Sequence, residues 1–222
     1  MSASDRAFIF DLDDTLCLER DYARSGFRAV AEAWRSRLGD PDRAADLMLA
    51  ELDAGNRARV FDALLARLGQ PAEREVVDGM VATYRDHVPV IALCADADRA
   101  LTRLRGTARL GLVTDGWLRA QERKIDALGL RRRLDLVLLT DEWGREFWKP
   151  HPRAFEEVAA RLRIPPGRCT YVADNPAKDF LAPNRLGWRT VQVCRAGALY
   201  VDLPPPPEGA AGTTLLSLDG LT

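Results

Sequence analysis

Five aspartates stand where apolar runs give way to turns. Asp11 and Asp13 follow Ala7–Phe10, Asp115 follows Leu110–Thr114, and Asp174 and Asp179 follow the run that begins at Cys169. If those runs are strands of one parallel sheet, their carboxyl ends open on a single edge. That edge also gathers the Thr114 hydroxyl, an amide at Gly116 and, from just ahead of a helix beginning at Pro152, the Lys149 ammonium. Carboxylates from different strands raise one another's pKa unless a cation compensates. A hard divalent ion held by oxygens resolves the conflict. Mg²⁺ suits best, because it takes few carboxylates and keeps water and substrate oxygens. A lysine with a hydroxyl and glycine-adjacent amides cradles a dianionic phosphate. Beside such a metal one ionised aspartate is a competent nucleophile. A second, two residues on, projects to the same side and can serve as acid and then base. The set reads as phosphoryl transfer through an aspartyl-phosphate.

Composition argues against several other classes. The 222 residues are 47% apolar and 29% charged, enough for a substantial core under a charged surface. A formal net charge of −1 argues against a nucleic-acid polymer as partner. No run approaches the length of a membrane span, and the polar start Met1–Arg6 is no secretory signal. The four cysteines form no CxxC pair and are expected as reduced thiols in a cytoplasmic protein. Of 32 basic residues only Lys124, Lys149 and Lys178 are lysines. Lys124, at helical spacing from Glu122 and Leu128, is expected on an exposed helix face. Lys178 is expected in a structural role, paired with Asp174 or solvent.

Elements must bring these residues together. Apolar runs at Ala7–Leu12, Leu110–Thr114, Leu134–Thr140, Cys169–Asp174 and Trp188–Cys194 read as strands, with a short edge strand at Thr213–Leu218. Helices at Trp117–Leu128, Pro152–Leu162 and Pro176–Leu186 alternate with them. Alternation of this kind predicts βαβ units: an α/β fold with a Rossmann-like parallel sheet. The aromatics Phe147 and Trp148 should be core and anchor Lys149. Thr114 is expected to double as a helix N-cap. Leu203–Pro207 reads as a stiff extended connector. Between Asp21 and His87 the periodicity is helical instead, with four helices stopped by Gly39 and Gly69 and restarted at Pro71. An all-helical insertion after the first strand of an α/β domain is expected as a lid over the strand ends. The expected domains are a core of residues 1–16 and 95–222, and a helical cap of residues 17–94.

The segment Phe8-Ile9-Phe10-Asp11-Leu12-Asp13-Asp14-Thr15-Leu16 resembles the first motif of the haloacid dehalogenase-like hydrolase superfamily, an apolar strand followed by DxDxT. Leu112-Val113-Thr114-Asp115-Gly116 is similar to its second motif and Lys149-Pro150 to its third. Val172-Ala173-Asp174-Asn175-Pro176 with Asp179 is similar to its fourth. The second aspartate, Asp13, favours phosphate chemistry over dehalogenation. Gln121, Lys124 and Ile125, with Lys178-Asp179, look most like the 5′-nucleotidase and N-acylneuraminate-9-phosphatase branch. The resemblance implies Asp11 as nucleophile and Asp13 as acid and base. It implies Mg²⁺ held by the Asp11 carboxylate, the Asp13 carbonyl and Asp174, with Asp179 supporting. Thr114, Asp115, Gly116 and Lys149 would bind the phosphate. The insertion matches the helical cap of the small-molecule phosphatases, and Arg20, Tyr22, Arg24 and Trp117 are candidate substrate contacts. The expected activity is Mg²⁺-dependent hydrolysis of a small soluble phosphomonoester, a nucleoside 5′-monophosphate or a sugar phosphate. A sugar-phosphate mutase and a non-catalytic binding protein on the same fold are the alternatives.

Overall fold

A computed structural model describes residues 5–222; residues 1–4, which begin the expected core segment and the polar N-terminus, lie outside the described residues. The chain divides into two compact units. One runs through Glu19 and resumes at Ala92, and the other is Arg20–Ile91. In chain order the elements are β1 (Ala7–Phe10), α1 (Glu19–Ala33), α2 (Arg35–Leu38), α3 (Pro41–Asp53), α4 (Val60–Arg67), α5 (Arg74–Asp86), α6 (Ala95–Leu104), β2 (Arg109–Thr114), α7 (Leu118–Ala127), β3 (Leu136–Leu139), α8 (Arg153–Leu162), β4 (Cys169–Ala173), α9 (Leu181–Arg185), β5 (Arg189–Val193) and β6 (Thr213–Leu215).

In the larger unit six strands form one sheet in the order β3-β2-β1-β4-β5-β6, every pair parallel. The order grows outward from β1 in one direction through β2 and β3, then restarts on the other side at β4. Ligands of open α/β sheets bind outside the strand ends at such a reversal. Phe10 pairs with Leu112 on one side and Val172 on the other, and the Asp11 amide donates to Val172 O at 2.9 Å. That register sets the strand-end residues of β1, β2 and β4 side by side. All four residues of β1 are buried, as a strand covered on both faces requires. Gly111 is needed opposite it: a Cβ there would lie 2.7 Å from Ile9 Cδ1. Under one face Phe155 meets Tyr171 and Trp188 edge-on, with centroids 4.9 and 5.5 Å apart. Aromatic pairs of this geometry add to the burial that holds the sheet.

The helical unit packs Phe27, Val30, Ala31, Met48, Leu64, Leu65 and Met80 into its own core. Asp40 caps α3 by accepting from the Arg43 amide at 3.1 Å, with Pro41 in the first turn. The extra short helix α2 splits what the sequence reads as a single first helix.

Three expectations change. Helix α6 precedes β2 where none was expected. The helix expected over Pro176–Leu186 is confined to α9, Leu181–Arg185; the residues before it form a turn. Phe147 and Trp148 are half-buried rather than core, because they lie on a short irregular connection after β3. The Leu203–Pro207 run has no helix or strand, β6 is an edge strand, and all four cysteines are free.

Candidate active site

Asp11 is the first residue beyond β1, buried, with its Oδ1 accepting from Lys149 Nζ at 2.8 Å. The same ammonium donates to the Tyr171 hydroxyl at 2.8 Å and lies 2.8 Å from Asp179 Oδ1. That last contact lacks hydrogen-bond alignment, so it is held by charge. Asp179 Oδ2 accepts from the Asn175 amide at 3.0 Å, which closes the turn after β4 and brings Asp179 back beneath Asp174. Asp11, Asp174 and Asp179 each offer a carboxylate oxygen, all within 4.8 Å of one another. Asp174 Oδ2 is buried without a hydrogen-bond partner.

The electrostatics follow from this crowding. Burial pushes the Asp11 carboxyl up to about 6, against the pull of Lys149, and Asp179 adds to the rise. Burial, then the charges of Asp179, Asp11 and Asp14, push Asp174 up to about 9. Lys149 goes the other way: burial opposes its charge, but Asp11 and Asp179 hold the ammonium well above the ordinary lysine range. Lys149 in contact, with Lys178 acting on Asp11 through charge, leaves the three buried carboxylates under-compensated. An orphaned carboxylate oxygen within an all-oxygen donor set fits a hard divalent ion such as Mg²⁺.

Asp13 points to a different partner. The turn after Asp11 is set by Asp14, in the left-handed region at φ 54°, where a short polar side chain is tolerated. The Asp14 carboxylate accepts from the amides of Glu19 at 2.9 Å and Leu199 at 2.8 Å. Asp13, half-buried, takes Lys124 Nζ on Oδ1 at 2.7 Å and on Oδ2 at 2.8 Å. Gln121 Nε2 donates to Asp13 Oδ2 at 3.0 Å and to Thr114 Oγ1 at 2.6 Å. Lys124 is thus buried, not on an exposed helix face. Helix α7 leaves the Thr114–Gly116 loop close to the sheet, and residues 121 and 124 share its inner side. Burial disfavours the Lys124 charge, yet Asp13 and then Glu19 raise its pKa above the usual value.

Asp115 turns inward. Its carboxylate accepts from Thr140 Oγ1 at 2.8 Å, Lys178 Nζ at 2.9 Å and the Lys149 amide at 3.2 Å. Its side chain ties β2 to the segments after β3 and β4. Lys178 pairs with Asp115, not Asp174, because the turn before α9 aims it across the sheet edge. Thr114 caps no helix: α7 begins at Leu118, whose amide donates to Asp141 Oδ2 at 3.0 Å. Gly116 takes φ +124°, and a Cβ there would crowd Gln121 Cδ at 3.2 Å.

Trp117 is 43% exposed, with the Arg145 guanidinium stacked 4.0 Å from its centroid. Arg20, Tyr22 and Arg24 belong to the helical unit and are engaged within it. Arg20 clasps Asp53 through Nε–Oδ1 at 2.9 Å and Nη2–Oδ2 at 2.7 Å, and Arg24 pairs with Asp21 at 2.9 Å. Tyr22 is buried edge-on against Tyr84, centroids 5.4 Å apart. Sequence reasoning missed Tyr171, Thr140 and the grip of Gln121 and Lys124 on Asp13. The scarcity of lysine was the available signal for the last.

Residues 6–187 match the family model of haloacid dehalogenase-like hydrolases. A Methanopyrus kandleri protein named glyceraldehyde 3-phosphate phosphatase is 33% identical over 208 residues, covering 90% of this chain and 88% of its own. The Homo sapiens N-acylneuraminate-9-phosphatase is 24% identical over 228 residues, 95% of this chain and 91% of that one. Among solved structures, a hydrolase of the same superfamily from Bacillus subtilis, bound to magnesium, superposes with a TM-score of 0.69 at 18% identity. The match covers 97% of this chain and 96% of that one. The sheet order and strand-end carboxylates define a Rossmann-like α/β fold with an acidic site at its strand ends. The chain belongs to the haloacid dehalogenase-like hydrolase family and is an enzyme.

Proposed function

We propose that this enzyme hydrolyses a small soluble phosphomonoester, with Asp11 as nucleophile. The observation that carries the reading is the buried Asp11 carboxylate, held on one oxygen by Lys149 at 2.8 Å and grouped with Asp174 and Asp179. An Asp11 oxygen forms a bond to phosphorus as the ester P–O bond breaks. The electron pair of that bond goes to the departing oxygen, which takes a proton from Asp13. Water then attacks the phosphorus of the aspartyl-phosphate and gives a proton to Asp13. Inorganic phosphate leaves and the Asp11 carboxylate is restored. Lys149, Thr114 and the backbone at Gly116 bind phosphate oxygens, and Lys149 also keeps Asp11 aimed. Asp11, Asp174 and the Asp13 carbonyl would hold Mg²⁺, with Asp179 beneath them. When bound, the ion supplies charge neutralisation for the dianionic ester.

The substrate we favour is a phosphorylated sugar or sugar-like acid. Relatives named for glyceraldehyde 3-phosphate and N-acylneuraminate 9-phosphate align over 90% and 95% of this chain. A pyrimidine 5′-nucleotidase from Escherichia coli aligns over only 53%. The free cysteines agree with a cytoplasmic setting. Replacement Asp11→Asn tests the mechanism: turnover of every phosphate ester should disappear while circular dichroism stays unchanged. An Asp11→Asn variant that still releases phosphate from an aryl ester would overturn it. A panel of sugar phosphates and nucleotides ranked by kcat/KM then assigns the substrate class.

A further inference from the structure

We propose that Gln121 and Lys124 are positioning residues for the Asp13 carboxylate, and that Gln121 couples it to the Thr114 hydroxyl. The proposal rests on the reading of Asp13 as acid in phosphate-ester cleavage. Both oxygens of Asp13 are gripped from one helix, by Lys124 Nζ at 2.7 and 2.8 Å and by Gln121 Nε2 at 3.0 Å. A carboxylate on a turn has several accessible rotamers, and charge-assisted hydrogen bonds from two buried donors select one. Burying an ammonium is unfavourable without a partner. The Lys124 side chain is 6% exposed on the inner side of α7, directed at Asp13.

Gln121 does two things with one amide. Its second Nε2 hydrogen goes to Thr114 Oγ1 at 2.6 Å, while the Thr114 hydroxyl donates to the Asp115 carbonyl at 3.3 Å. Gln121 holds the hydroxyl oxygen through one lone pair, and a bound phosphate would take the single hydroxyl hydrogen in place of the Asp115 carbonyl. The loop leaves room for this: at Gly116 a Cβ would press on Gln121. Thr114 and Asp13 thus come from different strands yet are fixed by the same side chain.

Orientation of Asp13 matters most where its proton is needed. As the P–O bond breaks, the departing oxygen keeps the electron pair and takes the Asp13 proton. A basic alkoxide cannot leave without that proton, whereas a dinitrophenolate leaves unaided. Losses from misplacing Asp13 should therefore grow with the basicity of the leaving oxygen. Weaker phosphate binding or a loosened fold lowers rates on all esters alike.

The test measures kcat/KM for esters ranging from dinitrophenyl phosphate to an alkyl phosphate, with Asp13→Ala as the reference. This ratio covers steps through formation of the aspartyl-phosphate, so later water activation does not enter. Lys124→Met should lose on the order of 10²-fold on the alkyl ester and under about threefold on the dinitrophenyl ester, with partial rescue in Lys124→Arg. Gln121→Met should show the same slope on top of a uniform loss through Thr114. Where Lys124→Met does not fold, Lys124→Arg and Gln121→Met carry the comparison. Equal losses across the series, or none, in the variants that fold would overturn the positioning role. If Asp13→Ala itself shows no leaving-group dependence, the acid role of Asp13 falls, and the premise taken from the proposed function falls with it.

Discussion

Lys149 serves three oxygens at once: Asp11 Oδ1, Asp179 Oδ1 and the Tyr171 hydroxyl, each at 2.8 Å. A compact ammonium can meet oxygens on three sides at once, which a planar guanidinium cannot. This explains a lysine here in a chain that mostly uses arginine. Tyr171→Phe removes one acceptor and leaves a buried N–H unsatisfied. A loss of about 1–2 kcal/mol is expected, with turnover down severalfold because Asp11 is less firmly aimed. Thermal unfolding and steady-state kinetics check this; a variant equal to wild type in both would show that the hydroxyl is idle. Asp11 and Asp174 were legible because carboxylates at the ends of apolar runs have no core role to play, and Lys149 through its resemblance to a family motif. Tyr171 was not, since a tyrosine inside Cys169–Ala173 reads as one more large strand residue. Lys124 was misread for the opposite reason: helical spacing says which residues share a side, not which side faces the sheet.

At the scale of elements, the central strands were legible because they are short apolar runs buried in the sheet, and the helices of the second unit because Phe27, Val30, Ala31 and their successors keep a helical period. Helix α6 escaped because alanines carry much of its inner side, with Leu101 and Leu104 the only large apolar residues in it. Beside that apolar side, polar contacts also seat this helix. Asp96, in its first turn, accepts from Arg195 Nη1 at 2.7 Å and from the Leu218 amide at 2.7 Å. Arg195 in turn donates to Thr15 O at 2.6 Å, so the pair ties α6, the exit of β5 and the loop after β1 together. Burial opposes the Asp96 charge, but Arg195 and the Leu218 amide outweigh it and hold its pKa below the usual carboxylate value. A carboxylate depressed on folding stabilises above its unfolded pKa near 3.9, and that contribution fades as pH falls through the folded value. Asp96→Asn should therefore lower stability by about 2–3 kcal/mol between pH 5 and 8, and the gap to wild type should narrow below about pH 4. Denaturant midpoints across that range decide it. A gap that stays constant to pH 3 would assign the effect to shape, not charge.

For the whole molecule, the site is a place where the fold works against itself. Asp11, Asp174 and Asp179 bring carboxylate oxygens within 4.8 Å of one another at the end of a buried sheet, with Lys149 in contact with Asp11 and Asp179. Burial and mutual repulsion raise both Asp11 and Asp174, and Asp174 Oδ2 has no donor at all. A chain selected for stability alone would not retain that cluster; function at the strand ends keeps it. The α/β unit should then be markedly more stable with a divalent cation than without. Mg²⁺ at a hundred times its dissociation constant would add about 2.7 kcal/mol, since it binds only the folded site. For a chain of this size that corresponds to a rise in Tm of roughly 5–10 °C. Asp174→Asn separates this from a general salt effect. A carboxyl pushed up to about 9 must take up a proton on folding at neutral pH, a cost that Asn does not carry, so the metal-free variant should melt above the metal-free wild type. It should also lose most of the Mg²⁺-dependent rise and, with it, turnover. Calorimetry of both proteins with EDTA and with Mg²⁺ gives the four values required. If Mg²⁺ moves wild type and Asp174→Asn by the same amount, the carboxylate cluster does not hold the ion, and its crowding needs another cause.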